Sequence, residues 1–185
     1  MDKGPDINTS CQNCNRKMHK HGCYKRNAYT KYYSYRIPIY RWCCPDCGKT
    51  ISLLPPFLIP YARFYTSLRE SVIKRRMNGK SYKSIAERIV SQKNGGLSEQ
   101  TVKRWWKKFK ERVSSAANWL AGELVKAGEE EDLLRLHSTG VNSNIQNTIK
   151  WFFMLAHRYV SKFTRTTLWG LFTFINQRIP HNTWL

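Results

Sequence analysis

Acidic residues are what this sequence lacks most. Twelve Asp and Glu stand against 32 Lys and Arg, a formal charge of +20 and a pI near 10.0, and residues 133–185 hold no carboxylate at all. The nucleases of RNase H-like transposases need a set of carboxylates gathered around paired metal ions. Here the acids of the central region fall on helical surfaces or in a cysteine turn, and the acidic run at 129–132 has no strand around it. The phosphate loop GxxxxGK[ST], the dinucleotide loop GxGxxG and the nucleophile elbow GxSxG are absent too, and His137 and His157 lack a recognisable carboxylate partner. The expectation is a protein that is not an enzyme. Long apolar runs are also missing: residues 51–60 are apolar but interrupted by three prolines, well short of the ~20 residues a membrane span needs. No apolar stretch follows the charges of the N-terminal MDKGPDINTS, so the expected site of action is cytoplasmic, at the nucleoid. No internal repeat or low-complexity tract is evident.

What is present is cationic and aromatic. A balance this basic is most simply explained by a polyanionic partner, and phosphate neutralisation makes such binding fall steeply with salt. Aromatic residues make up 14 % of the chain, too many for a disordered basic tail.

Six cysteines in a cytosolic chain point to metal or reactive thiols rather than disulfides. Cys11 and Cys14 form one CxxC pair, and Cys44 and Cys47 form another within CPDCG. Each short turn presents two thiolates, and two turns complete a tetrahedral set for Zn²⁺ with no position left for catalysis. The intervening 29 residues, Asn15 to Cys43, make a longer gap than the commonest zinc ribbons have. Within that gap, 31–42 (KYYSYRIPIYRW) alternates as a strand, with Arg36, Pro38 and Tyr40 on one side and Ile37, Ile39 and Arg41 on the other. Pro38 suggests an edge or a bulge. Cys43 adjoins Cys44 and competes with it as ligand, although only Cys44 keeps the CxxC spacing; His19 and His21 are further substitutes. Cys23 is left as a loose thiol. A segment this small has too little core to fold without its ion.

The densest positive charge lies between Arg63 and Arg112. Residues 61–78 read as a helix, with Phe64, Leu68, Val72, Ile73 and Met77 on its apolar side and Arg63, Arg69, Lys74, Arg75 and Arg76 on its polar side. Then 81–112 reads as two helices joined by a glycine turn at 94–96. Ser81 caps the first, which carries Ile85, Ala86 and Ile89. Ser98 caps the second by accepting from the Thr101 backbone N–H. In that second helix Val102, Trp106, Phe109 and Val113 form an apolar stripe with Trp105 beside it, while Lys103, Arg104, Lys107, Lys108 and Lys110 take the other faces. This is the layout of a helix-turn-helix, whose second helix enters the DNA major groove. Gln100, Lys103, Arg104 and Lys107 become the side chains that reach bases or phosphates, with Ser98, Thr101 and Lys108 around them. A basic surface helix in an ordinary bundle is the rival explanation.

Beyond 115 the helical pattern continues to 127. Two aromatic stretches come next, 149–163 and 166–179, which form a helical hairpin packing on the rest of the chain or on a second copy as a homodimer. The fold class expected is α+β, mainly α. It comprises a flexible leader (1–10), a zinc ribbon (11–50), a Pro-rich connection (51–62), a three-helix DNA-binding domain (63–115) and a helical aromatic region (116–185).

The order of CxxC, aromatic strands, RWCCPDCGKTISLLPPFLIPY and then SYKSIAERI…LSEQTVKRWWKKF resembles a family of small bacterial proteins classed as a domain of unknown function. These are encoded beside insertion-sequence transposases and integrases, and the same order is similar to the N-terminal DNA-reading parts of several transposases. The resemblance covers roughly 11–115. It implies Cys11, Cys14, Cys44 and Cys47 as ligands of a structural Zn²⁺, the helix from Ser98 as the recognition element, double-stranded DNA as partner, and a separately encoded transposase or integrase nearby. The function expected is an accessory or regulatory DNA-binding factor of a mobile element. A stand-alone transcription repressor is one alternative. A single-stranded RNA-binding zinc protein, stacking bases on Tyr32, Tyr33, Tyr35, Tyr40 and Trp42, is another.

Overall fold

The computed structural model describes residues 5–89, 96–129, 144–163 and 170–179. Three antiparallel strands open the chain: β1 (His19–Tyr29), β2 (Ser34–Cys43) and β3 (Thr50–Leu53), in the order β1-β2-β3. β1 and β2 pair from His19↔Cys43 to Tyr29↔Ser34, with one irregularity between Lys20 and Gly22. Gly22 takes φ 122 there, a conformation open to glycine and costly for other residues. β3 pairs only with Tyr40 to Cys43, so Pro38 sits where β2 has β1 alone as its neighbour. A residue without an N–H is tolerated at such an edge.

Period-two alternation lets β2 serve two cores. Trp42 and Tyr40 pack with Cys11, Met18, Cys44, Ile51 and Leu53. Ile37 turns the other way, toward Ala28, Phe57, Leu58 and Tyr65. Ile51 to Leu53 belongs to the sheet rather than to the Pro-rich connection. The remainder of that connection is irregular, as its prolines require.

Backbone bonds stitch the sheet to the segment that leads into the first helix. Tyr29 donates its N–H to the Arg63 carbonyl (2.8 Å) and accepts from the Tyr65 N–H (3.0 Å). The Arg26 guanidinium donates to the carbonyls of Ile59 and Ala62. These ties explain why α1 (Thr66–Met77) begins later than the apolar spacing predicts. The backbone of residues 61–65 bonds to β1 or turns: Tyr61 has φ 61 and Tyr65 holds an extended ψ of 145. Lys74, Arg75 and Arg76 fill the last turn of α1, where positive charge complements the helix dipole.

The next helices are α2 (Tyr82–Ile89) and α3 (Glu99–Lys126). Ser81 Oγ accepts from the Ser84 N–H (3.1 Å), and Ser98 Oγ accepts from the Thr101 N–H (3.2 Å), so both caps form as expected. Of the expected glycine turn, 94 and 95 lie outside the described residues; Gly96 adopts φ 69. α3 is one helix of 28 residues with no break near 115. Its first turns contribute Val102 and Trp105 to a core with Leu68 and Val72 of α1 and Ile85, Ala86 and Ile89 of α2. From Trp106 onward it joins a second, larger core.

That second core is completed by α4 (Ile145–Phe163) and α5 (Leu171–Asn176). Phe109 meets Phe152 at 5.7 Å, Trp119 meets Tyr159 at 5.5 Å and Glu129 pairs with Lys162 at 3.1 Å. These contacts advance in the same sense along both chains, so α3 and α4 run parallel. α5, the described part of the second aromatic stretch, packs on α1 and α4. Its first turn is fixed by Glu70, expected on a helix surface but buried: one carboxylate oxygen accepts from the Phe172 N–H (3.1 Å), the other from Lys74 (2.6 Å). Beside it the hydroxyls of Thr66 and Thr173 share a buried hydrogen bond. The aromatic half therefore packs on the rest of the chain.

Candidate functional site

The two CxxC segments fold into matching turns. Cys11 donates its N–H to the Arg16 carbonyl (2.8 Å) and accepts at its own carbonyl from Asn15 (2.8 Å). Cys44 repeats the pattern with Lys49 (2.9 Å) and Gly48 (3.1 Å). Asn15 (φ 60) and Gly48 (φ 67) occupy the same left-handed position in the two turns; both residue types tolerate it. An Arg16–Asp46 ion pair of 3.0 Å links one turn to the other.

The geometry brings four sulfurs together. Cys11 lies 3.5 Å from Cys47, and Cys14 lies 3.3 Å from Cys44 and 3.8 Å from Cys47. All four fall within 4.8 Å of one another, close enough to hold a metal ion. A tetrahedral ion with metal–sulfur bonds of about 2.3 Å places its sulfurs about 3.8 Å apart, so the set matches that span with little adjustment. Backbone N–H groups of Asn13 and Cys14 draw the Cys11 thiol down to about 6, and that of Cys47 lowers Cys44. Cys14 and Cys47 also receive backbone bonds, from Arg16 and Lys49. Their neighbouring sulfurs, Cys44 first for Cys14 and Cys11 first for Cys47, outweigh these and raise both, Cys14 to about 12. A cation at the centre of such a cluster would stabilise all four as thiolates. Cys43 is excluded, its sulfur turned toward the Cys44 and Gly48 carbonyls at 3.5 and 3.7 Å. Cys23, His19 and His21 are exposed along β1 and outside the set.

The cationic residues of α3 divide into two groups. Gln100 is exposed, Lys103 pairs with Glu99 (2.9 Å) and Lys107 approaches Glu111 at 4.0 Å. Thr101, Arg104 and Lys108 lie on the neighbouring face, where spacing of three and four residues aligns them. Together with Arg63, Arg69 and Arg112 they line a cleft of about 700 Å³, closed on its far side by residues 59–64. No acidic residue is among its described lining. Ser98 lies outside the cleft, its hydroxyl 2.9 Å from that of Thr101.

Arg69, expected on the polar side of α1, is buried instead, with its guanidinium over the Trp105 ring at 5.3 Å. Burial first, then the charges of Arg112 and Arg104, bring its pKa down to about 10. The signal for it exists in the chain: Arg69 follows Tyr65 by four residues and precedes Val72 by three, so it shares their buried face. Among the described residues no helix is long and apolar enough to cross a membrane.

A family profile described as a domain of unknown function (DUF6431) matches residues 11–105. The matched stretch begins on the first cysteine of the cluster and ends on Trp105, so it takes in the sheet, α1, α2 and the first turns of α3. No curated protein and no solved structure matches the chain significantly.

Proposed function

This chain belongs to the DUF6431 family, and we propose that it is a DNA-binding protein with a structural zinc site, whose α2–α3 pair works as a helix-turn-helix. The observation that carries this reading is the two-sided use of the start of α3. Val102 and Trp105 anchor it from behind to α1 and α2, while Gln100, Lys103, Arg104, Lys107 and Lys108 stay outside that core. A recognition helix needs that combination: a fixed pose and a free polar front at its N-terminal turns. Arg104 is the best candidate for a guanine contact, because its guanidinium has no acidic partner among the described residues, whereas Lys103 and Lys107 are already engaged along the helix. Four thiolates are a donor set suited to zinc or an iron–sulfur cluster, and a mononuclear zinc with all its positions filled by protein has a structural role. We assign no catalysis to the chain. Its resemblance to transposase-associated proteins supports service to a mobile element, as an accessory or regulatory factor beside a separately encoded recombinase in the bacterial cytoplasm.

Selection of bound sequences from a random duplex pool tests the reading, together with metal analysis for zinc against iron. Arg104→Ala is expected to weaken the selected site by about 1–3 kcal/mol and relax one base position. A uniform loss over all sequences demotes Arg104 to a phosphate contact, and absence of any duplex binding in dilute buffer ends the DNA reading. A second reading has its own observation. Tyr24, Tyr32, Tyr33 and Tyr35 are exposed on the β1–β2 hairpin, with Lys31 over the Tyr32 ring at 4.7 Å, a surface on which unpaired bases stack. Competition between duplex DNA and single-stranded RNA of matched length separates the two.

A further inference from the structure

Among the described residues, Arg69 has no acidic partner. It is 8 % exposed, its guanidinium rests on the face of Trp105, and the charges that act on it are those of Arg104 and Arg112. A buried guanidinium is ordinarily paired with a carboxylate, since an isolated buried charge is strongly disfavoured. None of Arg63, Arg69, Arg104 and Lys108 has an acidic partner among the described residues. All four open into one cleft, and the cleft is far larger than a single water or halide requires. Trp105 holds the Arg69 fork in place by a cation–π contact, which preorganises its donors.

We propose that the cleft between residues 59–64, α1 and α3 is a phosphate-binding site, with Arg69 at its base and Arg63, Arg104 and Lys108 around its mouth. Planar guanidinium forks match the oxygens of phosphate, and several cations without a carboxylate favour an anion of more than one charge. The mouth also offers a flat partner. Tyr61 is fully exposed at the rim and keeps φ 61, a backbone conformation unusual for a bulky residue. A phosphate bearing a base or other ring is therefore the ligand class that fits best. The site goes beyond the DNA reading, because a phosphate needs no duplex to fill it.

The test uses the full chain and inorganic pyrophosphate, titrated calorimetrically with ionic strength held constant by chloride. One saturable site is expected, weakened more than tenfold by Arg69→Met and severalfold by Arg63→Gln or Lys108→Gln, and unchanged by Lys126→Gln at the far end of α3. The two surface variants keep the test sound should Arg69→Met fail to fold. Pyrophosphate heats that do not saturate, or that are equal in Arg63→Gln, Lys108→Gln and the parent, overturn the site. A mixed-sequence duplex supplies the second arm. If Arg63→Gln and Lys108→Gln also weaken duplex binding and flatten its salt dependence, the bound group is a backbone phosphate; if duplex binding is unmoved, the site takes a small phosphorylated molecule. Saturable pyrophosphate with no duplex binding supports the site while ending the DNA reading. Duplex binding insensitive to the cleft, without pyrophosphate binding, does the reverse.

Discussion

Gly170 and Glu70, far apart in the chain, are fitted to each other atom by atom. A Cβ on Gly170 would stand 2.7 Å from Glu70 Oε2, and its φ of 86 already disfavours a side chain. Gly170→Ala is therefore expected to lose more than about 2 kcal/mol in a denaturant titration, its φ 86, ψ 165 backbone being a glycine-only region that alone costs about 1–3. Gly79→Ala, with φ 75 and nothing within 4 Å, is the comparison that loses the backbone part only. Among the cysteines, Cys44→Ser removes a buried ligand and should abolish stoichiometric metal, whereas Cys23→Ser, exposed and outside the cluster, should leave metal content unchanged. The cluster was legible because CxxC spacing is a local property, as was Ser98, whose partner lies three residues on. Glu70 was not legible, and Arg69 only through its helical spacing from Tyr65 and Val72. Charged helical residues usually face water, and what buries these two arrives from α5 and α3, elements remote in sequence.

α3 is the element on which both helical cores depend. Ser98→Ala removes the bond to the Thr101 N–H and is expected to cost about 1 kcal/mol. Phe109 is 2 % exposed and touches rings of α4 and α5, so Phe109→Ala should cost about 3–5 kcal/mol by the same titration. Helical spacing through 127 made the length of α3 readable. It did not reveal that Trp105 and Trp106, adjacent in the chain, belong to different cores. Apolar spacing that continues through Phe64 sets the start of α1 too early, because the competing backbone bonds to β1 leave no local pattern. The sides of α1 are also packed by α2, α3 and α5, so no clean stripe marks its extent.

Across the whole molecule, charge and the cysteine cluster bear on different properties. With +20 overall, duplex affinity is expected to fall steeply with salt. If 6–10 phosphates are contacted, affinity drops about 10³–10⁵-fold between 50 and 200 mM; a nearly flat log–log plot would count against backbone contact. Chelation should act elsewhere. The core beside the cysteines is small, holding Met18 and Trp42, whereas α3, α4 and α5 have an apolar core of their own without sulfur ligands. A chelator is then expected to erase strand protection in hydrogen exchange and spare that of α4. Composition supports only the expectation of a polyanion partner, and that the aromatic half packs inward depended on long-range contacts that periodicity does not encode.

An unbroken α3 spans about 42 Å at 1.5 Å per residue. One end is gripped by α1 and α2, and the rest by α4 and α5. The change of core falls between Trp105 and Trp106. Because one rigid helix enters both cores, the positions of Arg104 and Lys108 are set by the packing of α4 and α5 as well as by α1 and α2.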